Sequence, residues 1–165
     1  MIIRMSMSKI IWINFYAFFL LFLVSSCNNQ AYFDKTKDIG NSWKAQEKVS
    51  FVVEITDSIK AFDFYINIRN TVDYRYSNVF VFLKTNFPDG RYSIDTINIW
   101  LADPQGNWLG KGFGKYRDNS VLFKHDGRFP MKGKYRFEFE QAMREESLVG
   151  LSALGIRIED SRIKE

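Results

Sequence analysis

The chain has 165 residues, a formal net charge of +4, one cysteine and one histidine. That length suits one domain. The Cys and His counts exclude a disulfide framework, Cys/His zinc sites and haem attachment through paired cysteines, and the charge is too small to argue for a nucleic-acid partner.

In chain order, the first element is a leader. Arg4 and Lys9 precede an apolar run over residues 10–24, broken by Asn14, and no acid occurs before it ends. Leu23-Val24-Ser25-Ser26-Cys27 then gives way to polar Asn28-Asn29-Gln30. Cations, apolar stretch and small residues in that order mark a secretory signal, and the run is short of the ~20 residues that a spanning helix needs. Cys27, the only thiol, stands where small residues close the apolar run, which resembles the lipobox of bacterial lipoproteins. There the cysteine becomes the acylated first residue of the mature chain, and two or three acyl chains hold a protein on a bilayer where one does not. The expected segments are a signal over 1–26, a lipid anchor and tether over 27–48, and a folded domain over 49–165. Removing 1–26 leaves 165 − 26 = 139 residues and, without Arg4 and Lys9, a charge of +4 − 2 = +2. Asn28 and Asn29, with no acidic cluster after Cys27, favour the outer membrane and its periplasmic leaflet.

Strand-like alternation starts at Val49, with Val49, Phe51, Val53 and Ile55 on one face. Phe62, Phe64, Ile66 and Ile68 repeat it. Asn78 to Phe87 is rich in Val and Phe, and Phe87-Pro88-Asp89-Gly90 is a turn. From Tyr92 to Leu101 the apolar phase shifts by one between Ile94 and Ile97, which predicts a β-bulge near Asp95-Thr96. Asp103-Pro104-Gln105-Gly106 is a second turn. Val121-Leu122-Phe123 reads as a short strand, and residues 135–140 and 155–159 as longer ones. The one candidate helical turn lies within 141–152. The fold class is all-β, a single antiparallel β-sandwich of about eight strands, with jelly-roll and immunoglobulin-like orders both open.

Candidate chemistry is sparse. A Ser-His-Asp hydrolase would need His125 as its base, but its setting between Lys124 and Asp126 reads as a solvated loop. Glu138 and Glu140 share a strand face with Arg136 and read as a charge ladder. The acids near Asp103 and Asp118 lack the spacing of a calcium loop. Gly110-Lys111-Gly112-Phe113-Gly114 lacks the strand-to-helix setting of a phosphate loop and reads as backbone freedom in a bent or closely packed strand. No catalytic residue, metal site or cofactor is assigned. Trp100, Trp108, Phe113 and Tyr116 gather around the 103–114 turn region. Core packing is the expectation for most of them, a protein-binding patch the next, and a glycan platform the last. Asp103, Asn107, Trp108 and Phe113 are the candidate partner-binding residues.

Several segments together are similar to a known family: Asn41-Ser42-Trp43, Phe64-Tyr65-Ile66-Asn67-Ile68-Arg69-Asn70, Tyr76-Ser77-Asn78-Val79-Phe80 and Phe87-Pro88-Asp89-Gly90. Residues 101–110 (LADPQGNWLG), with Gly112-Phe113-Gly114, Phe129-Pro130, Gln141-Ala142-Met143-Arg144 and Gly155-Ile156-Arg157-Ile158-Glu159, extend the likeness. With the lipobox, the chain resembles the gliding-motility lipoprotein GldH family of the Bacteroidetes. The resemblance implies a non-catalytic envelope lipoprotein, fixed to the membrane through acyl chains on Cys27. It also implies partners among other envelope lipoproteins and gliding-machinery proteins. No active-site residue carries over from the family. The alternative expectation is a surface glycan-binding lipoprotein of a carbohydrate-uptake system.

Overall fold

Residues 31–161 are described by the computed structural model, and within them the chain forms ten strands and no α-helix. The signal segment and Cys27 lie outside the described residues. The strands are β1 (Phe33–Asp38), β2 (Ser42–Lys44), β3 (Val49–Ile55), β4 (Ala61–Thr71), β5 (Asn78–Asn86), β6 (Tyr92–Trp100), β7 (Tyr116–Arg128), β8 (Gly133–Gln141), β9 (Ser147–Val149) and β10 (Leu151–Asp160). All pairings are antiparallel.

Two four-stranded sheets, in orders β1-β10-β4-β7 and β3-β8-β5-β6, make the sandwich, and β2 pairs with β9 in a small third sheet. The eight long strands follow the double Greek-key order of a jelly roll, which decides between the two orders left open above. The period-2 pattern explains the layering. Val49, Phe51, Val53 and Ile55 of β3 point inward, as do Val79, Val81 and Leu83 of β5 and Tyr135, Phe137 and Phe139 of β8. Phe62, Phe64, Ile66 and Ile68 of β4 face them from the other sheet with Leu154, Ile156 and Ile158 of β10. The layers meet through rings, with Phe64 and Phe137 centroids 6.5 Å apart and Phe129 wedged 4.7 Å from Tyr135.

The structure departs from the sequence expectations at four places. Residues 33–44, expected as tether, carry β1 and β2. β1 is an edge strand of sequence FDKTKD, exposed on both faces beyond Phe33, so it has no apolar alternation to read. Edge strands are commonly charged in this way. β2 brings in Trp43, which is fully buried and donates its Nε1–H to the carbonyl of Glu47 at 2.8 Å. Second, β6 has no bulge: its register with β5 runs unbroken from Asn78↔Trp100 to Asn86↔Tyr92. The apolar phase shift is instead a change of face, with Ile97 and Ile99 turned inward and Tyr92, Ile94 and Trp100 turned out. Third, Val121-Leu122-Phe123 belongs to a strand of 13 residues, β7, whose register with β4 shifts between Phe62 and Tyr65. Fourth, residues 141–152 hold a turn and β9 rather than a helical turn.

Candidate contact surface

The loop between β6 and β7 leaves one end of the sandwich and is built in two tiers. In the first, Asp103 organises the turn. Its Oδ1 accepts from the backbone N–H groups of Gln105 (3.0 Å) and Asn107 (2.8 Å), and its Oδ2 accepts from Asn107 Nδ2 at 2.9 Å. The bonds from Asn107 and its neighbours hold the Asp103 carboxyl below the usual carboxylate range. Asp103 and Asn107 therefore stabilise the turn by local side-chain bonding. The turn folds Trp108 back: Ala102 and Trp108 form a bridge, and Leu109 N–H donates to the carbonyl of buried Leu101 at 2.9 Å. Trp108 is half-buried and packs against the core.

The second tier runs from Gly110 to Arg117. Lys111 and Asp118 exchange two backbone hydrogen bonds, 2.9 and 2.7 Å. A Cβ at Gly110 would meet the Asn119 side-chain amide at 2.8 Å, and one at Gly112 would collide with the Tyr116 carbonyl. These close approaches account for both glycines, although they lie in the loop between β6 and β7 and not in the strand expected from the sequence. Val72 N–H reaches the Lys115 carbonyl at 2.8 Å, and Arg117 Nη1 donates to the carbonyls of Gly114 (2.8 Å) and Tyr116 (2.7 Å). The loop so braced presents Phe113 at 98% exposure. Residues 104–117 contain Lys111, Lys115 and Arg117 and no acid. Beside them Arg69 grips Asp118 through both carboxylate oxygens at 2.7 and 3.2 Å, which raises the Arg69 pKa further, and its guanidinium lies 5.9 Å from the Tyr116 ring centroid.

Core packing, the first expectation for the four aromatics, holds in part for Trp108 alone. Trp100 and Tyr116 are exposed with Phe113. The outer face of the β3-β8-β5-β6 sheet also shows Phe80, close to Trp100, and Phe82 and Ile94 further along it. The sequence does not reveal this face because β5 carries apolar residues at successive positions, so alternation cannot say that Phe80 and Phe82 point out while Val79, Val81 and Leu83 point in. Asn67 and Arg69 lie on the outer face of the other sheet, where Ser120 Oγ donates to Asn67 Oδ1 at 2.8 Å. Asn70 is buried, and its Oδ1 accepts from Asn119 Nδ2 at 2.8 Å.

His125 is less simply solvated than expected. Its ring is exposed, yet Nδ1 donates to Oδ1 of Asp63 at 2.6 Å, and Asp63 is fully buried on β4. The backbone N–H of Asp126 donates to the same oxygen at 3.2 Å, and Asp126 Oδ2 lies 3.2 Å from His125 Nε2. Among the described residues these three form the one group whose donor atoms, within 4.8 Å of one another, could surround a cation. Each ring nitrogen already faces a carboxylate, so the pairing accounts for the cluster as a clasp on the shifted register of β7.

These features define an all-β jelly-roll domain that displays aromatic side chains on a braced end loop and on one outer sheet face. The profile of the family described as GldH lipoprotein matches residues 31–158. The chain belongs to the GldH lipoprotein family. It is 37% identical over 150 residues to the "Gliding motility lipoprotein GldH homolog" of Christiangramia forsetii, covering 87% of this chain and 92% of that protein. It is 32% identical over 144 residues to the "Gliding motility lipoprotein GldH" of Flavobacterium johnsoniae, covering 83% and 89%. Among solved structures, that of infectious bursal disease virus Gx strain overlaps 76% of this chain and 31% of its own, at 12% identity and a TM-score of 0.38. A likeness at that level carries no argument about function.

Proposed function

We propose that this chain is a non-catalytic envelope lipoprotein that supports the assembly or stability of gliding machinery by binding other envelope proteins. In this reading Cys27 carries the lipid, and the domain faces the periplasm from the outer membrane. The observation that carries it is Phe113: a large aromatic, almost wholly exposed, on a loop held by backbone bonds, two close-packed glycines and Arg117. A braced loop loses little backbone freedom on binding, and an aromatic at its tip has only two side-chain torsions to fix, so it serves as an anchor. Asp103 and Asn107 shape that surface, and Trp108 supports it from below. The names of the two relatives support the gliding role.

Photocrosslinking from position 113 in intact cells, followed by identification of the captured protein, tests this directly. Capture of envelope proteins supports the reading, and loss of spreading in the Phe113→Ala strain at normal protein level completes it. A Phe113→Ala strain that spreads and captures as the parent does removes Phe113 from the role.

The second reading, a surface glycan-binding lipoprotein, has one observation in its favour. A polar trough on the outer face of the β1-β10-β4-β7 sheet is lined by Asp34, Thr36, Asn67, Arg69, Asp118 and Ser120. Those side chains largely satisfy one another, through Arg69 with Asp118, Ser120 with Asn67 and Asp34 with Arg157. Protein binding therefore remains the stronger reading. Surface labelling of intact cells separates the two, since only the glycan reading requires exposure outside the cell.

A further inference from the structure

The way the chain enters the sandwich bears on which end faces the bilayer. Tyr32 is tied down: its hydroxyl donates to the Glu54 carbonyl at 2.8 Å and accepts from Thr56 N–H at 3.3 Å, and its ring lies 5.0 Å from Phe62. Cys27 is five residues earlier. A chain covers at most about 3.6 Å per residue, so an acylated Cys27 keeps Tyr32 within roughly 18 Å of the lipid headgroups.

Three loops share the Tyr32 end. Residues 56–60 join β3 to β4 and residues 129–132 join β7 to β8, because Ile55 pairs with Gly133 and Ala61 with Arg128. The third is the 87–91 turn between β5 and β6, whose Pro88 lies against Gly133. The first loop carries Ile59 at 79% exposure, with its N–H bonded to Asp57 Oδ1 at 2.9 Å. Lys60 follows, 3.7 Å from Asp160, and the second loop carries exposed Lys132. The Phe113 loop lies at the other end of the same sheet. Tyr116 pairs with Thr71, the far end of β4 from Ala61, and a strand of that length spans about 30 Å at ~3.3 Å per residue.

We infer that the sandwich stands on the bilayer by its Tyr32 end, with Ile59 in the headgroup layer and Phe113 held away from the lipid. This rests on the acylation of Cys27 and adds a surface that the partner-binding reading does not include. The tether is too short to let the domain drift free. An exposed isoleucine within reach of the interface gains from leaving water, and exposed Lys132 on the neighbouring loop places its stem in the apolar layer and its ammonium among phosphates. A weak second contact of this kind adds to an acyl anchor and fixes the orientation of what the anchor holds.

The test uses the full-length chain, expressed with its signal in a lipoprotein-processing host and reconstituted into vesicles of phosphatidylethanolamine and phosphatidylglycerol. Once Cys27 is acylated the chain has no other thiol, so Ile59→Cys and Phe113→Cys each take a single environment-sensitive NBD label. Flotation with the vesicles reports the anchor, and quenching by nitroxide-labelled headgroups reports the orientation. The expected result is co-flotation of both variants, with a blue-shifted emission and severalfold stronger quenching at position 59 than at 113. Co-flotation with equal quenching at the two positions, or with stronger quenching at 113, overturns the orientation and leaves the anchor standing. Failure to float overturns the acylation of Cys27, and this inference with it.

Discussion

Oδ1 of Asp63, buried in β4, accepts two hydrogen bonds from the part of β7 where the strand register slips, one from His125 Nδ1 at 2.6 Å and one from Asp126 N–H at 3.2 Å. The carboxylate replaces the ladder bonds that the shifted register gives up. Asp63→Ala leaves both donors without this acceptor and empties a buried site, so a loss of about 1–3 kcal/mol is expected. Urea unfolding of the soluble domain measures it. A loss several times larger than that of His125→Ala is also expected, because the histidine ring is exposed and Asp126 N–H keeps its acceptor when only the ring is removed.

Trp43 contributes to the core from β2, outside the two main sheets. Its replacement by alanine should cost ~3–5 kcal/mol, enough to unfold a marginal domain. Circular dichroism melting gives the answer, and an unchanged Tm would mean that the small β2-β9 sheet is not part of the cooperative unit.

Trp108 and Phe113 should separate cleanly. Trp108 is half-buried against the core, so Trp108→Ala is expected to cost about 2 kcal/mol, between a core and a surface residue. Phe113→Ala should leave the melting temperature unchanged, since its side chain touches almost nothing. A partner-capture defect in Phe113→Ala at normal stability would locate the contact, whereas a defect in Trp108→Ala must be read together with its Tm.

Tyr74 is buried, and burial pushes its pKa well above the ordinary value of 10.0, with the neighbouring Tyr76 adding to the shift. The folded state holds the phenol proton to a higher pH than the unfolded state does. Stability from this group is therefore fully present below pH 10 and is lost as pH rises above it. Unfolding free energy should fall through pH 10–11 in the parent and fall less steeply in Tyr74→Phe. At neutral pH that variant should lose roughly 1 kcal/mol for the missing hydroxyl bond to the Asn78 carbonyl.

Cys27→Ser should abolish fatty-acid labelling and leave an unprocessed or soluble chain. Metabolic labelling with a clickable palmitate, followed by membrane fractionation, checks both. A variant that still labels and sediments with membranes would refute acylation at this residue.

The parts of the fold that could be read in advance are those where one physical rule acts alone. β3, β4, β5, β8 and β10 each turn an apolar face to the other sheet, and alternation exposes them. β1 was invisible because an edge strand in solvent needs no apolar face. β6 misled because Ile99 packs inward while Ile94 and Trp100 point out, and a pattern of types cannot tell a change of face from a bulge. The real irregularity lay in β7, where Asp63 and His125, 62 residues apart, had to meet before it made sense. The turn at Asp103 was legible from its Pro and Gly. The exposure of Phe113 was not, because it depends on the Asn119 side chain crowding Gly110 and the Tyr116 carbonyl crowding Gly112.

The position of β10 has a consequence for how the protein is made. It lies between β1 and β4 as their shared neighbour, although it is the last strand in chain order. Until β10 is in place, β1 has no partner and β4 is open along one side, so the sandwich cannot close around its first described strand. Long-range pairing of this sort is slow. If Cys27 is acylated as proposed, slow closure of this kind would leave the start of the chain open to the acylating enzyme. A nonsense mutation just before Leu151 removes the strand that joins β1 to β4, and a chain that does not fold is the expected outcome.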